Sequence, residues 1–170
     1  MKSSSIDHEG PIIYNEWVPI HRFVPVSIVL LVILLIATVI TTSIIEQEIR
    51  LLFLLFCGGF SLLFIFIGFN FRGVKITLTS ETLVVKFGLF NTRSIPLQDI
   101  TVCEAINASF GRYLGFGVRI SFDSSLAFTT NFKEALRLTY QEKRLFVFST
   151  RNQQELCELL VNLNEQIVVK

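Results

Sequence analysis

The sequence predicts a two-helix transmembrane hairpin followed by a mainly-β domain that a C-terminal helix closes, and three patterns predict it. Residues Val24–Ile45 and Leu51–Phe71 contain no charged side chain. From Gly73 onward, apolar and polar residues alternate in short runs separated by turn signals. After Asn152 the spacing becomes helical, with Leu156, Leu159, Leu160, Leu163 and Ile167 on one face. The implied division is an N-terminal segment over residues 1–22, the hairpin over 23–71 and the β domain over 72–170.

Each apolar run is long enough to cross a bilayer, since 22 residues at about 1.5 Å rise reach roughly 33 Å against about 30 Å of hydrocarbon. Fifteen of the residues from Val24 to Ile45 are Val, Ile or Leu, and each favours insertion by roughly 0.3–0.6 kcal/mol. A mean hydropathy of +0.59 fits this division. A buried hairpin in a water-soluble core is the competing reading. About 100 remaining residues could not cover every face of two long helices that lack a polar side. A cleaved leader is disfavoured too, because the first run exceeds an ordinary leader core and no A-x-A site follows it. The Ser, Thr, Cys and Asn residues inside the runs include no ionisable pathway group, so transport is not expected.

The segment before the hairpin intersperses Ile12, Ile13, Tyr14, Trp17 and Val18 with Glu16 and His21. An aromatic belt in the headgroup layer is the preferred reading, against a strand that docks on the C-terminal domain. Basic residues near the helix ends set the expected orientation: Arg22 precedes the hairpin, Arg72, Lys75 and Lys86 follow it, and the connection carries Arg50 beside Glu46 and Glu48. Both termini are then expected at the cytoplasmic face of a cell membrane.

In the β domain, Val74–Thr79 and Thr82–Phe87 read as a hairpin turning at Ser80-Glu81. After the turn at Gly88–Asn91, Thr92–Ile95 and Ile100–Ile106 are two more strands, with Pro96 interrupting the ladder because it has no N–H to donate. Asn107–Gly115 reads as a loop and Phe116–Phe122 as a strand, while Asp123–Lys133 carries no clear pattern. Glu134–Tyr140 and Arg144–Ser149 form a last hairpin. Asn152 and Glu155 have the spacing of a capping box for the final helix. Cys57, Cys103 and Cys157 are scattered and odd in number. Three small buried hydrophobes are favoured over a Cys103–Cys157 disulfide, in agreement with a reducing compartment.

The series from Phe87 to Ile100, FGLFNTRSIPLQDI, resembles a segment of bacterial pleckstrin-homology-like (PH-like) domains in small membrane proteins. Tyr113–Arg119, YLGFGVR, is similar to the Y-G-G-W-G-I-R signature of one branch of that family, with Leu114 and Phe116 replacing a glycine and a tryptophan. Arg144–Thr150 resembles the run that precedes the branch's acidic helix, with Ser149 in place of another glycine. The resemblance covers about Gly73–Leu163 and implies a PH-like β-barrel capped by a C-terminal helix.

Two residue groups are candidates for function. Tyr113, Gly115, Phe116, Gly117 and Arg119 make a candidate interaction loop, although a structural bulge, with Arg119 paired to Asp99 or Glu104, explains the same residues and is preferred. Arg72, Lys75, Lys86 and Arg93 make a candidate lipid-facing basic group. The net charge of +3 from Arg72 onward is too mild for a nucleic-acid surface. The only histidines, His8 and His21, precede the hairpin with no companion cluster, so neither catalysis, a metal nor a cofactor is expected. The expected role is a non-catalytic interaction or scaffold module whose partners are the bilayer and another protein or a second copy. An anionic-lipid sensor and a membrane-complex assembly factor are the alternatives.

Overall fold

The computed structural model describes residues 10–45, 50–107, 117–120, 125–131, 134–141 and 144–169. The described chain forms two compact units, one comprising His21–Arg72 and the other the residues up to Ile20 together with those from Gly73 onward.

The first unit is a pair of helices, α1 (Phe23–Ile45) and α2 (Arg50–Asn70), both long and apolar enough to span a membrane. Scarcely any of their side chains are buried, unlike the mostly buried core helices of a water-soluble protein. Polar side chains within the runs bond to their own helix backbone: Ser27 Oγ donates to Phe23 O (2.7 Å), Thr38 Oγ1 to Leu35 O (2.8 Å) and Ser61 Oγ to Cys57 O (2.8 Å). Hydroxyls satisfied in this way can sit in hydrocarbon at little cost. The helices approach near Gly68, where a Cβ would lie 3.5 Å from Ile28 Cδ1.

The second unit begins with a strand. Ile12–Pro19 is β1, and it pairs antiparallel with β2 (Gly73–Thr79) from Ile12↔Thr79 to Pro19↔Gly73. The aromatic-belt reading of this segment is therefore corrected in favour of the docking strand. Once β2 supplies a ladder, the alternation of Tyr14, Glu16 and Val18 with Asn15 and Trp17 distributes these residues over two faces. Gly73 is required at the junction, because a Cβ there would collide with the Val18 carbonyl oxygen.

Strands β1 and β2 continue into β3 (Thr82–Phe87) and β4 (Asn91–Pro96) to make a four-stranded sheet in sequential order. Thr79 Oγ1 accepts from Thr82 N at 3.1 Å and so shapes the β2–β3 turn. Gly88, at φ +63°, makes the next turn, and its N–H donates to Gly73 O at 3.2 Å. Pro96 ends β4 instead of interrupting it, paired with Thr82, and a 3-10 turn over Leu97–Asp99 follows.

The second sheet contains β5 (Ile100–Asn107), β6 (Gly117–Ile120), β7 (Leu126–Thr129), β8 (Glu134–Tyr140), β9 (Arg144–Ser149) and β10 (Val168–Val169), in the order β10-β5-β8-β9-β7-β6. The pairs β7–β9 and β10–β5 are parallel. Strand β7 lies in the stretch that had no clear sequence pattern. The expected single barrel is corrected to two sheets that do not close.

A run of phenylalanines joins the sheets. Phe87 of β3 lies 5.9 Å from Phe128 of β7, Phe128 meets Phe146 edge-on at 5.1 Å, and Phe146 lies 5.5 Å from Phe148. All four are fully buried, each stabilising the fold by roughly 1.5–3 kcal/mol. Helix α3 (Gln153–Leu163) packs on this body through Leu156, Cys157 and Leu160, while Leu163 is partly exposed and Ile167 is buried beyond the helix end. The capping box does not form: Asn152 makes no side-chain cap bond, and its Nδ2 donates to Glu155 Oε2 at 2.9 Å.

Cys103 of β5 and Cys157 of α3 are joined in a disulfide with a Cα–Cα distance of 6.1 Å, and Cys57 is free. This corrects the expectation of three unpaired cysteines. The partners are 54 residues apart, and only the packing of α3 on β5 brings them together.

Candidate functional site

The rows across the four-stranded sheet sort the basic residues by face, because residues directly opposite each other in a ladder project to the same side. Trp17, Lys75, Lys86 and Thr92 form one transverse row. Glu16, Ile76, Val85 and Arg93 form the next, and Ile76 and Val85 are in the core. Lys75 and Lys86 thus share the outer face with Trp17, and Arg93 belongs to the opposite face, exposed at its position in β4. Arg72 is exposed before β2, its guanidinium 5.5 Å from the centre of the Phe69 ring. The structure brings Lys75 and Lys86 together and separates Arg93 from them.

Two exposed ammonium groups directly across a ladder repel each other. They remain because the row is open to solvent, and an anion against that face would relieve both. Trp17, 48% exposed, lies beside Lys75. Along the strands Lys75, Lys86 and Arg93 lie toward the Pro19/Gly73 end, where Glu16 shares the row of Arg93, while Glu81 and Asp99 lie at the other end.

Of the candidate interaction loop, Tyr113, Gly115 and Phe116 lie outside the described residues. Gly117 is buried, with φ +104°, and opens β6; Arg119 is exposed in the same strand, opposite Ala127. Neither proposed ion pair of Arg119 is present. Glu104 is taken by Arg137, its cross-strand neighbour, whose Nε donates at 2.9 Å, and Asp99 Oδ2 accepts from Gln141 Nε2 at 3.0 Å. Strand β6 ends the sheet order, and Ile120 at its end is 78% exposed.

A polar latch was not foreseen. Glu16 Oε2 accepts from Thr150 Oγ1 at 2.6 Å and from Tyr14 Oη at 3.0 Å, and Glu16 Oε1 accepts from Arg151 N at 2.8 Å. The carboxylate ties β1 to the chain entering α3, 135 residues away. Burial, and then the hydrogen bond to Glu16 with its negative charge, push the Tyr14 hydroxyl up to about 12. The only sequence signal was an acidic residue placed between aromatic ones in a short alternating run.

No protein-family model, curated protein or solved structure matches this chain.

Proposed function

We propose that the chain is a non-catalytic, PH-like interaction module, held at the cytoplasmic face of a membrane by two transmembrane helices, that docks another protein or a second copy. The observation that carries this reading is the pairing of β1 with β2. Strands that share a ladder lie on the same side of a bilayer, so the chain between Pro19 and Gly73 crosses an even number of times. Two charge-poor helices with lipid-compatible surfaces make that number two. Arg22, Arg72, Lys75 and Lys86 outweigh Arg50 and favour the cytoplasmic side for the paired ends. Docking is assigned to β6, which is the terminal strand of its sheet among the described residues and has Arg119 and Ile120 exposed, since a sheet edge can accept a partner strand.

A photo-cross-linking residue at position 120 of the intact protein, activated in its membrane, tests this. Recovery of one stoichiometric cross-linked species supports docking at β6; adducts to lipid alone overturn it.

The Cys103–Cys157 bond favours a second reading, the same module facing an oxidising compartment, where disulfides persist. Alkylating thiols before lysis separates the two. Free thiols at both positions support the cytoplasmic side, and a retained bond supports the opposite one.

A further inference from the structure

The turn between β3 and β4 sets two large apolar side chains at one end of the four-stranded sheet. Leu89 is 57% and Phe90 69% exposed, in a turn of only Gly88, Leu89 and Phe90. The N–H of Gly88 donates to Gly73 O, so the turn is level with the first residue of β2. Only Phe71 and Arg72 separate Gly73 from the last residue of α2, which limits the distance between them to about 11 Å. At the same end lie the opposed Lys75 and Lys86 and half-exposed Trp17, with Arg72 next to Gly73 in the chain; Glu16 is one row further along, its carboxylate bound to Thr150 and Arg151, and Glu81 and Asp99 lie at the far end.

We infer that this end is a second membrane contact, in which Leu89 and Phe90 enter the headgroup–acyl boundary while Arg72, Lys75 and Lys86 lie against anionic phosphates. The inference rests on the proposed spanning helices. Its occupant is the lipid surface because three features coincide there. The chain tethers this end within reach of the bilayer, the exposed apolar pair is flanked by cations, and the single Trp of the chain is of the kind that partitions to the interface. Membrane contact at the turn would orient the sheet and leave β6 to a partner.

The test uses the intact chain carrying Trp17→Phe, reconstituted in phosphatidylcholine–phosphatidylglycerol vesicles with brominated acyl chains. Three single-tryptophan variants are compared: Phe60→Trp in α2, Phe90→Trp in the turn and Leu163→Trp at the end of α3, which shares a cleft with Ser80 and Glu81 at the far end of the sheet. Bromolipid is expected to remove roughly half of the emission at position 90 and less than about a tenth at position 163. Adding Lys75→Glu and Lys86→Glu is expected to lower the quenching at position 90. Quenching at position 60 but not at position 90 overturns the inference and leaves the spanning helices standing. Emission at position 90 that is blue-shifted yet unquenched reports a protein contact and overturns it as well. No quenching at position 60 overturns the membrane reading and this inference together.

Discussion

The two units are built from the same apolar residue types and place them in opposite ways. In the helical pair, Leu51, Leu52 and Phe56 face outward; in the β unit, Phe87, Phe128, Phe146 and Phe148 face each other between two sheets. The hairpin turns its apolar side chains to its surroundings, a surface that suits hydrocarbon in the proposed membrane setting. The β unit carries its own core and would be stable against water. An apolar side chain lost from the first gives up a little lipid transfer energy; one lost from the second leaves a cavity.

That contrast predicts the largest difference in mutational cost. Phe146→Ala should destabilise the β unit by about 4 kcal/mol, whereas Leu52→Ala should weaken insertion by only about 0.5 kcal/mol. Chemical denaturation of the intact protein in micelles measures the first, and the carbonate-resistant fraction measures the second. Comparable effects would break the distinction.

Glycines sharpen it next. Gly73→Val must displace the Val18 carbonyl and should cost about 3 kcal/mol, opening the β1–β2 pair. Gly58→Val, with nothing within 4 Å of the added Cβ, should change stability by less than about 0.5 kcal/mol. Hydrogen exchange at the β1 amides reads the difference.

A smaller effect belongs to the latch. Glu16→Gln keeps the shape and removes the charge, so it should cost roughly 1 kcal/mol and increase exchange in β1 and at the start of α3. The smallest concerns pH. Tyr14 is raised in the folded state, so its contribution is complete below pH 10 and is lost as pH rises toward about 12. Unfolding midpoints across that window should fall, and Tyr14→Phe should flatten the slope.

The helices were legible because their signal is local: length and the absence of charge suffice. So were β2, β3, β8 and β9, whose alternation and turns lie within a few residues of each other. What stayed hidden was non-local. Strand β1 finds its partner beyond both helices, β7 and β9 pair in parallel across an intervening strand, and the disulfide joins positions 54 residues apart. The basic group shows the same boundary. Its members could be named from the sequence, but register alone decides that Arg93 opposes Val85 while Lys86 opposes Thr92, and that difference sends Arg93 to the other face. Leu89 and Phe90 were visible as turn residues; their place beside Gly73 required the hydrogen-bonded ladder.

Whether the hairpin crosses the membrane twice with β1 returned to the β unit can be decided by labelling in sealed vesicles of one orientation. Asn15→Cys and Ser94→Cys, introduced separately with Cys57→Ser, put an exposed thiol on β1 and on β4. A membrane-impermeant maleimide should modify both from the same side and neither from the other. Modification of the two positions from opposite sides would contradict the paired sheet and the double crossing.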